Sequence, residues 1–238
     1  MATTRYRFNE NPSAASLVKD TSGYYELSLV TSGKAGVTSP TPKQGQRCRP
    51  VTGASGSYTS DLAETTGLYP LNTYSSIDFF IYNATGANTS WRPISISGWN
   101  DYASDVTYAW SYINQSTNII YGATFDVGSA NYQETAIGTL PRDKWCRIRF
   151  KLGWDYGGGS YGIFDSAQLW TTSSPYSITP DYDVVLDAGI GDHGFSTQPL
   201  AIYIGQTGGE AVSQSGGYFD DLIWSDSPIY RKKPYVIG

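Results

Sequence analysis

The stretch Trp145-Cys-Arg-Ile-Arg-Phe-Lys-Leu152 decides the fold class of this chain. Its apolar residues occupy every second position, and the positions between them carry an indole and three cationic groups. Successive side chains of an extended strand point to opposite faces of a sheet, so this alternation predicts a half-buried β-strand. Its solvent face is predicted to carry a basic stripe, formed by Arg147, Arg149 and Lys151.

The composition extends this prediction to the whole chain. The 238 residues include 26 Gly, 20 Tyr and 7 Trp, and only 16% are charged, which is typical of short strands joined by tight turns. Clusters of Gly, Pro, Ser, Asn and Asp separate ten candidate strands, at 24–30, 77–82, 91–97, 107–112, 119–125, 145–152, 166–171, 184–188, 200–204 and 218–224. With no internal linker between them, the strands predict one domain of two packed antiparallel sheets over 1–227, followed by a C-terminal tail over 228–238.

A second stretch, Gly217-Tyr-Phe-Asp-Asp-Leu-Ile-Trp-Ser-Asp226, strengthens the prediction. Together with the Trp-led strand at 145, and with the stretches 76–82, 162–170 and 200–206 in the same order, it resembles the laminin-G-like, concanavalin A-like jelly roll. The resemblance spans about residues 20–226. It implies an all-β, two-sheet antiparallel β-sandwich that the 217–226 strand closes.

Charge and cysteine content exclude several function classes. A formal net charge of −5 argues against nucleic acid as a partner, because phosphate binding requires clustered Lys and Arg. No window of about 18 apolar residues predicts a membrane span, and the first residues lack an apolar signal core, so synthesis in a cytoplasm is expected. Cys48 and Cys146 are too few for a disulfide framework or a zinc site, and whether they pair is left open.

The residues offer little catalytic chemistry. His193 is the only histidine, and it lies in a Gly-rich stretch that reads as a loop, which does not identify a catalytic triad. Hydrolases on this jelly roll place several carboxylates at alternate positions of one strand, a spacing that this sequence lacks. Asp181 and Asp183 come closest, but the Thr-Pro pair before them indicates a turn. The chain is therefore predicted not to be an enzyme and to require no cofactor.

Carbohydrate binding is the usual non-catalytic activity that the resemblance implies. Sugar rings stack on exposed Trp and Tyr faces. Two loop sets combine such rings with polar groups, and the candidate carbohydrate-binding residues are Trp99, Asn100, Asp101, Tyr102, Trp154, Tyr156 and Tyr161. The alternative is that these aromatic residues serve as core and cross-strand pairs.

The resemblance also implies a structural calcium ion, for which Asp220 or Asp221 occupies the matching position. In an extended strand the two carboxylates would lie on opposite faces, so one of them would lie near buried aromatic residues. Such a carboxylate must be paired, hydrogen-bonded or metal-bound. Hydrogen bonding to turn amides is the alternative to calcium.

The C-terminal tail differs from the rest of the chain in charge. It contains three consecutive cations beside large apolar groups, and the residues predicted to dock onto a partner are Tyr230, Arg231, Lys232, Lys233 and Tyr235. A solvated chain end is the alternative.

The composition resembles that of bacteriophage virion proteins, which are made in the host cytoplasm and need no signal peptide. The first hypothesis is a non-enzymatic virion accessory or adhesion protein that presents a lectin-like sandwich to host-surface glycans. Its termini would attach it to other capsid or tail proteins, and it could form a homo-oligomer. The alternatives are a purely structural capsid or tail decoration subunit, and a glycan-active enzyme or carbohydrate-binding module.

Overall fold

In the part of the chain that the computed structural model describes, all regular structure is β-strand. The structure describes residues 3–6, 17–19, 26–28, 37–51, 59–63, 76–86, 91–99, 105–126, 131–153, 163–186, 199–207, 217–225, 229 and 231. These segments contain no helix that is long and apolar enough to cross a membrane. All ten candidate strands overlap observed ones.

The strands form two sheets, and every pairing between described strands is antiparallel. The seven-stranded sheet consists of β1 (Thr3–Tyr6), β4 (Arg49–Pro50), β6 (Ser76–Asn83), β11 (Trp145–Gly153), β12 (Ile163–Trp170), β13 (Tyr182–Val185) and β15 (Gly217–Ser225). Its order is β1-β15-β6-β11-β12-β13, and β4 pairs with the start of β15.

The second sheet has eight strands. They are β2 (Leu17–Lys19), β3 (Glu26–Ser28), β5 (Thr59–Ala63), β7 (Trp91–Trp99), β8 (Asp105–Asn114), β9 (Ile119–Asp126), β10 (Asn131–Thr139) and β14 (Pro199–Thr207). Their order is β10-β9-β8-β7-β14-β5-β3-β2. Strand β12 lies against β8, β9 and β10, so the two sheets stack face to face and the predicted β-sandwich is confirmed.

The core between the sheets is filled by aromatic and aliphatic side chains. Phe150 of β11 stacks on Phe79 of β6 at a ring-centroid distance of 6.4 Å and on Phe164 of β12 at 4.5 Å. Cys146 is fully buried on the same strand and, like Cys48, is a free thiol, so the two cysteines do not pair. Burial raises the pKa of both thiols to about 12.

The outer face of the seven-stranded sheet is covered as well, which the alternation in β11 did not predict. Strand β6 is buried on both faces, because the segments 37–51 and 171–181 and residues 229 and 231 lie over its outer side. Arg147 is consequently only 2% exposed. The prediction that it belongs to a solvent-facing basic stripe is wrong, since Lys151 alone of the three cations is exposed.

Strand β15 contains a β-bulge at its two aspartates. The register with β6 shifts between Asp220 and Ile223, and Asp221 adopts a left-handed conformation with φ of 49°. A bulge places two residues opposite one, so alternation is interrupted at this point. Both carboxylates therefore reach groups on the outer side of the sheet, and the prediction of opposite faces is wrong.

The same strand begins where the two sheets approach closely. A Cβ atom on Gly217 would lie 2.3 Å from Cε2 of Trp91, whose indole is fully buried. We expect Gly217→Ala to lower the free energy of unfolding by about 1–3 kcal/mol through overpacking. Urea denaturation measures this loss, and a variant as stable as the parent chain would show that the indole can shift.

Candidate functional site

The outer face of the eight-stranded sheet carries a half-exposed group of aromatic rings. Along β8, Ala109, Ser111 and Ile113 are buried, whereas Trp110 and Tyr112 between them are partly exposed. The inner positions pack into the core, so the alternation directs the two rings outward.

Register adds residues from the neighbouring strands. Tyr121 of β9 lies opposite Tyr112, and the two rings stack in nearly parallel planes, 9° apart, with centroids 4.9 Å apart. Ala123 of β9 lies opposite Trp110 on one side and opposite Glu134 of β10 on the other. Because the Ala123 side chain is small, the Trp110 ring reaches across it and contacts the ring of Tyr132. We call Trp110, Tyr112, Tyr121 and Tyr132 the aromatic surface.

Charged groups lie at its edges. The Arg92 guanidinium stands over Trp110, with its carbon 4.4 Å from the ring centroid. The Tyr112 hydroxyl donates a hydrogen bond of 3.0 Å to Oε2 of Glu134. Burial, together with this carboxylate, raises the pKa of Tyr112 to about 12, so the phenol stays neutral and acts as a donor. The face thus offers flat apolar rings beside a cationic donor, Arg92, and an anionic acceptor, Glu134.

The predicted sugar-binding loops lie almost entirely outside the described residues. These are Asn100, Asp101, Tyr102, Trp154, Tyr156 and Tyr161. Trp99 is the last residue of β7, and only its backbone is described. The loop assignments therefore stay predictions. The aromatic surface was not predicted as a site, although its signal is present in the aromatic residues at alternate positions of Trp110-Ser-Tyr112.

A second cluster, composed of charged side chains, lies buried on the outer face of the other sheet. The Asp78 carboxylate of β6 is fully buried. It accepts hydrogen bonds from Nη2 of Arg147 at 2.7 Å, from Nε of Arg149 at 3.0 Å and from Nε of Arg231. Arg231 also pairs with Asp221, and we call these five residues the ion cluster.

The ion cluster shifts the ionisation of its members. Burial by itself would raise the pKa of Asp78, but the charges of Arg231 and Arg147 outweigh it and hold that pKa below its ordinary value. For Arg147 the balance is the opposite: burial lowers the pKa of its guanidinium, and the contact with Asp78 does not fully offset this. The guanidinium of Arg147 also lies 4.1 Å from the centroid of Trp170 and donates to the carbonyl oxygen of Pro175 at 3.0 Å.

These contacts locate one residue of the predicted docking tail. Arg231 is only 9% exposed and binds the aspartates of its own chain, so its guanidinium is engaged inside the fold. Its guanidinium carbon also stands 4.4 Å from the centroid of Phe80. The other predicted docking residues, Tyr230, Lys232, Lys233 and Tyr235, lie outside the described residues.

The two aspartates predicted to bind calcium have different partners. Asp221 pairs with Arg231, whereas the Oδ2 atom of Asp220 accepts the backbone N–H of Gln44 at 2.8 Å. The hydrogen-bonded alternative therefore describes Asp220. Within the described residues no group of three or more His, Cys, Asp or Glu side chains could hold a metal ion. Calcium binding stays an untested prediction.

The remaining acidic candidates serve the fold. Both oxygens of Asp181 accept hydrogen bonds from residues 171–173, including the backbone N–H of Thr171 at 2.6 Å and of Thr172 at 2.7 Å. Burial opposes ionisation, but these bonds together outweigh it and hold the pKa of Asp181 well below its usual range. Asp183 binds the amide of Gln168. Asp181 follows the predicted turn chemistry, whereas Asp183 lies on β13 opposite Gln168, so the turn prediction is wrong for it. His193 lies outside the described residues.

Comparison with known proteins gives structural likeness only. The sequence matches no protein-family model and no curated protein. The fold is similar to that of Trypanosoma rangeli sialidase in complex with sialic acid, with a TM-score of 0.56 and 10% identity over 95% of this chain and 31% of the sialidase. The same sialidase bound to the inhibitor DANA gives a TM-score of 0.55 at 9% identity, over 95% of this chain and 30% of the sialidase.

The CBM40 of Ruminococcus gnavus IT-sialidase, bound to α2,6-sialyllactose, has a TM-score of 0.45 at 10% identity, over 76% of this chain and 91% of that domain. This chain spans about a third of the length of the T. rangeli sialidase that it matches. At such identities the likeness to the sialidase shows a shared β-sandwich fold.

Proposed function

We propose that this chain is a non-catalytic glycan-binding module that binds sugars on the outer face of its eight-stranded sheet. The aromatic surface is the observation that carries the proposal. Its ring pairs are partly exposed and lie on regular strands rather than on loops. Sites on strands are held more precisely than sites on loops, because backbone pairing fixes their positions.

The chemistry of the face suits a sugar. A pyranose ring presents C–H groups on its flat sides, which pack against Trp and Tyr, and hydroxyl groups at its edge, which need donors and acceptors. Arg92 supplies donors beside Trp110, and Glu134 supplies an acceptor that already binds the Tyr112 hydroxyl. Aromatic side chains also lose little conformational entropy when they bind.

For the biological setting, we propose a virion accessory or adhesion protein of a bacteriophage that presents this face to host-surface glycans. The composition supports this setting. Attachment to the particle would use the predicted docking residues around Arg231, whose own guanidinium binds Asp78 and Asp221.

The test is glycan binding by the purified chain and by two Trp→Ala variants. Trp110→Ala should weaken binding at least about tenfold, because it removes the largest stacking surface. Trp145→Ala is the matched control: that indole is half-buried on the other sheet, where its Nε1 donates to the carbonyl oxygen of Thr41. A glycan array followed by titration calorimetry measures both, and circular dichroism monitors the fold.

Two results would contradict the proposal. If the parent chain binds no glycan, with calcium or with chelator, a structural decoration subunit becomes the better interpretation. If Trp110→Ala binds as tightly as the Trp145→Ala control, the chain binds glycans elsewhere, and the loops around Trp99 and Trp154 become the next candidates.

A further inference from the structure

A pocket of about 70 Å³ lies on the outer face of the seven-stranded sheet, opposite the aromatic surface. Its lining includes the three arginines of the ion cluster, Arg147, Arg149 and Arg231, together with Trp170 and Ile229. The pocket lies where β11 and β12 meet residues 229 and 231 and the segment after Trp170. It is large enough for several water molecules, each of which needs at least about 10–15 Å³.

The charges of the five-residue ion cluster beside this pocket do not balance. Three guanidinium groups share the single Asp78 carboxylate, and Asp221 neutralises only Arg231, which leaves one surplus positive charge among the five residues. Asp183 does not cancel this charge directly, because Gln168 lies between it and Arg149. Nε2 of Gln168 donates to Asp183, and Oε1 of Gln168 accepts from Nη1 of Arg149. A buried positive charge that no carboxylate neutralises is costly, so an anion at this place would stabilise the cluster.

A second observation also indicates a missing acceptor. The Nε1 atom of Trp170 is buried and has no hydrogen-bond partner among the described residues, and Trp170 lines the pocket. Buried donors of this kind are normally satisfied. Arg147 and Arg149 stand over the same indole, with their guanidinium carbons 4.1 and 5.6 Å from its centroid. Surplus positive charge and a residue with an unsatisfied donor therefore line the same pocket.

We propose that this pocket binds the carboxylate group of a small organic acid. Arginine recognises carboxylates with paired N–H groups, and Arg149 is the pocket arginine that solvent reaches most, with 17% of its side chain exposed. Tyr176, Ser177 and Ile178 complete the lining, and Ile178 is 85% exposed. The Tyr176 ring and Ile178 place apolar surface beside the pocket for the carbon skeleton that carries the carboxylate. The inference does not depend on the aromatic surface, which lies on the other sheet.

The experiment titrates the full chain with acetate, glucuronate, glucose and inorganic phosphate at constant ionic strength, and follows Trp and Arg side-chain signals by NMR. Acetate and glucuronate should bind saturably in the millimolar range. Glucose, which lacks the charge, should not bind at this site. Tighter binding of glucuronate than of acetate would show that the apolar rim adds contacts, and equal binding would show that the carboxylate suffices.

Two variants test the position without disturbing the ion cluster. Ile178→Asp adds a negative charge at the rim and should weaken acetate binding at least tenfold. Val185→Asp makes the same kind of change at another exposed position, which the pocket does not include, and should weaken binding less than twofold. Failure of both carboxylates to bind, stronger binding of phosphate, or equal affinities of the two variants would overturn the proposal.

Discussion

Replacing Asp78 with asparagine is expected to lower the free energy of unfolding by about 3–5 kcal/mol. The substitution preserves the size of the side chain but removes the one carboxylate that Arg147, Arg149 and Arg231 share. The carboxylate is fully buried, and Arg147 and Arg231 are nearly so, so water cannot take over its role. Urea denaturation followed by tryptophan fluorescence measures the loss.

Asp183→Asn is the matched control for this substitution. Asp183 is an exposed carboxylate on β13, and its contact in the structure is with the amide of Gln168. Its replacement should change stability by no more than about 0.5 kcal/mol, as is usual for surface positions. If Asp78→Asn cost less than about 1 kcal/mol, the three guanidinium groups would have to find other acceptors, and the ion cluster would not stabilise the covered face.

The fold was predictable wherever its signal is local. The alternation in β11 identifies the inward positions Cys146, Ile148 and Phe150, all of which are fully buried. Strand β10 was not predicted, because it lies at the edge of its sheet and both Gln133 and Glu134 are exposed there. An edge strand that is polar on both faces lacks a clear periodic pattern.

The ion cluster could not be predicted from strand patterns. Alternation shows that Arg147 points away from the core, but not that another layer covers the outer face. Asp78 is 69 residues from Arg147 and 153 residues from Arg231 along the chain. The bulge at Asp221 could not be predicted from the sequence either, because one extra residue in a strand leaves no periodic signal of its own.

The aromatic surface was partly within reach of the sequence. Both β8 and β9 were predicted, and the short turn between Asn114 and Ile119 fixes their register as a hairpin, which places Tyr112 opposite Tyr121. The contribution of Tyr132 was not predictable, because it requires the unpredicted strand β10. Local pairing therefore indicates one of the two ring pairs, Tyr112 with Tyr121. The pair of Trp110 with Tyr132 requires the edge strand.

The second large effect concerns pH, through Asp220. Burial is the main cause that raises the pKa of this carboxyl from 3.8 to about 7, with a further contribution from the charge of Asp221, while the amide of Gln44 opposes the shift. The Oδ1 atom of Asp220 is buried and has no partner among the described residues, which agrees with a poorly solvated carboxylate. The folded chain thus binds a proton that the unfolded chain has already released between about pH 4 and pH 7.

Stability should therefore fall as the pH rises through this window, and the loss should be complete above about pH 7. Between pH 5 and pH 8 Asp220 should contribute a loss of about 2–3 kcal/mol, since each pKa unit corresponds to about 1.4 kcal/mol. Asp220→Asn keeps an acceptor for the Gln44 amide but cannot ionise. Its free energy of unfolding, relative to that of the parent chain, should therefore rise by the same amount from pH 5 to pH 8. Urea denaturation at both pH values measures the difference.

His193→Gln separates this effect from the only histidine of the chain, which ordinarily titrates in the same range. That variant should retain the loss of stability that we assign to Asp220. If Asp220→Asn became no more stable relative to the parent chain between pH 5 and pH 8, the carboxyl would have to be ionised at both values. A cation held against Asp220, such as the predicted calcium ion, would then explain why burial fails to raise its pKa, because a bound cation favours the ionised form.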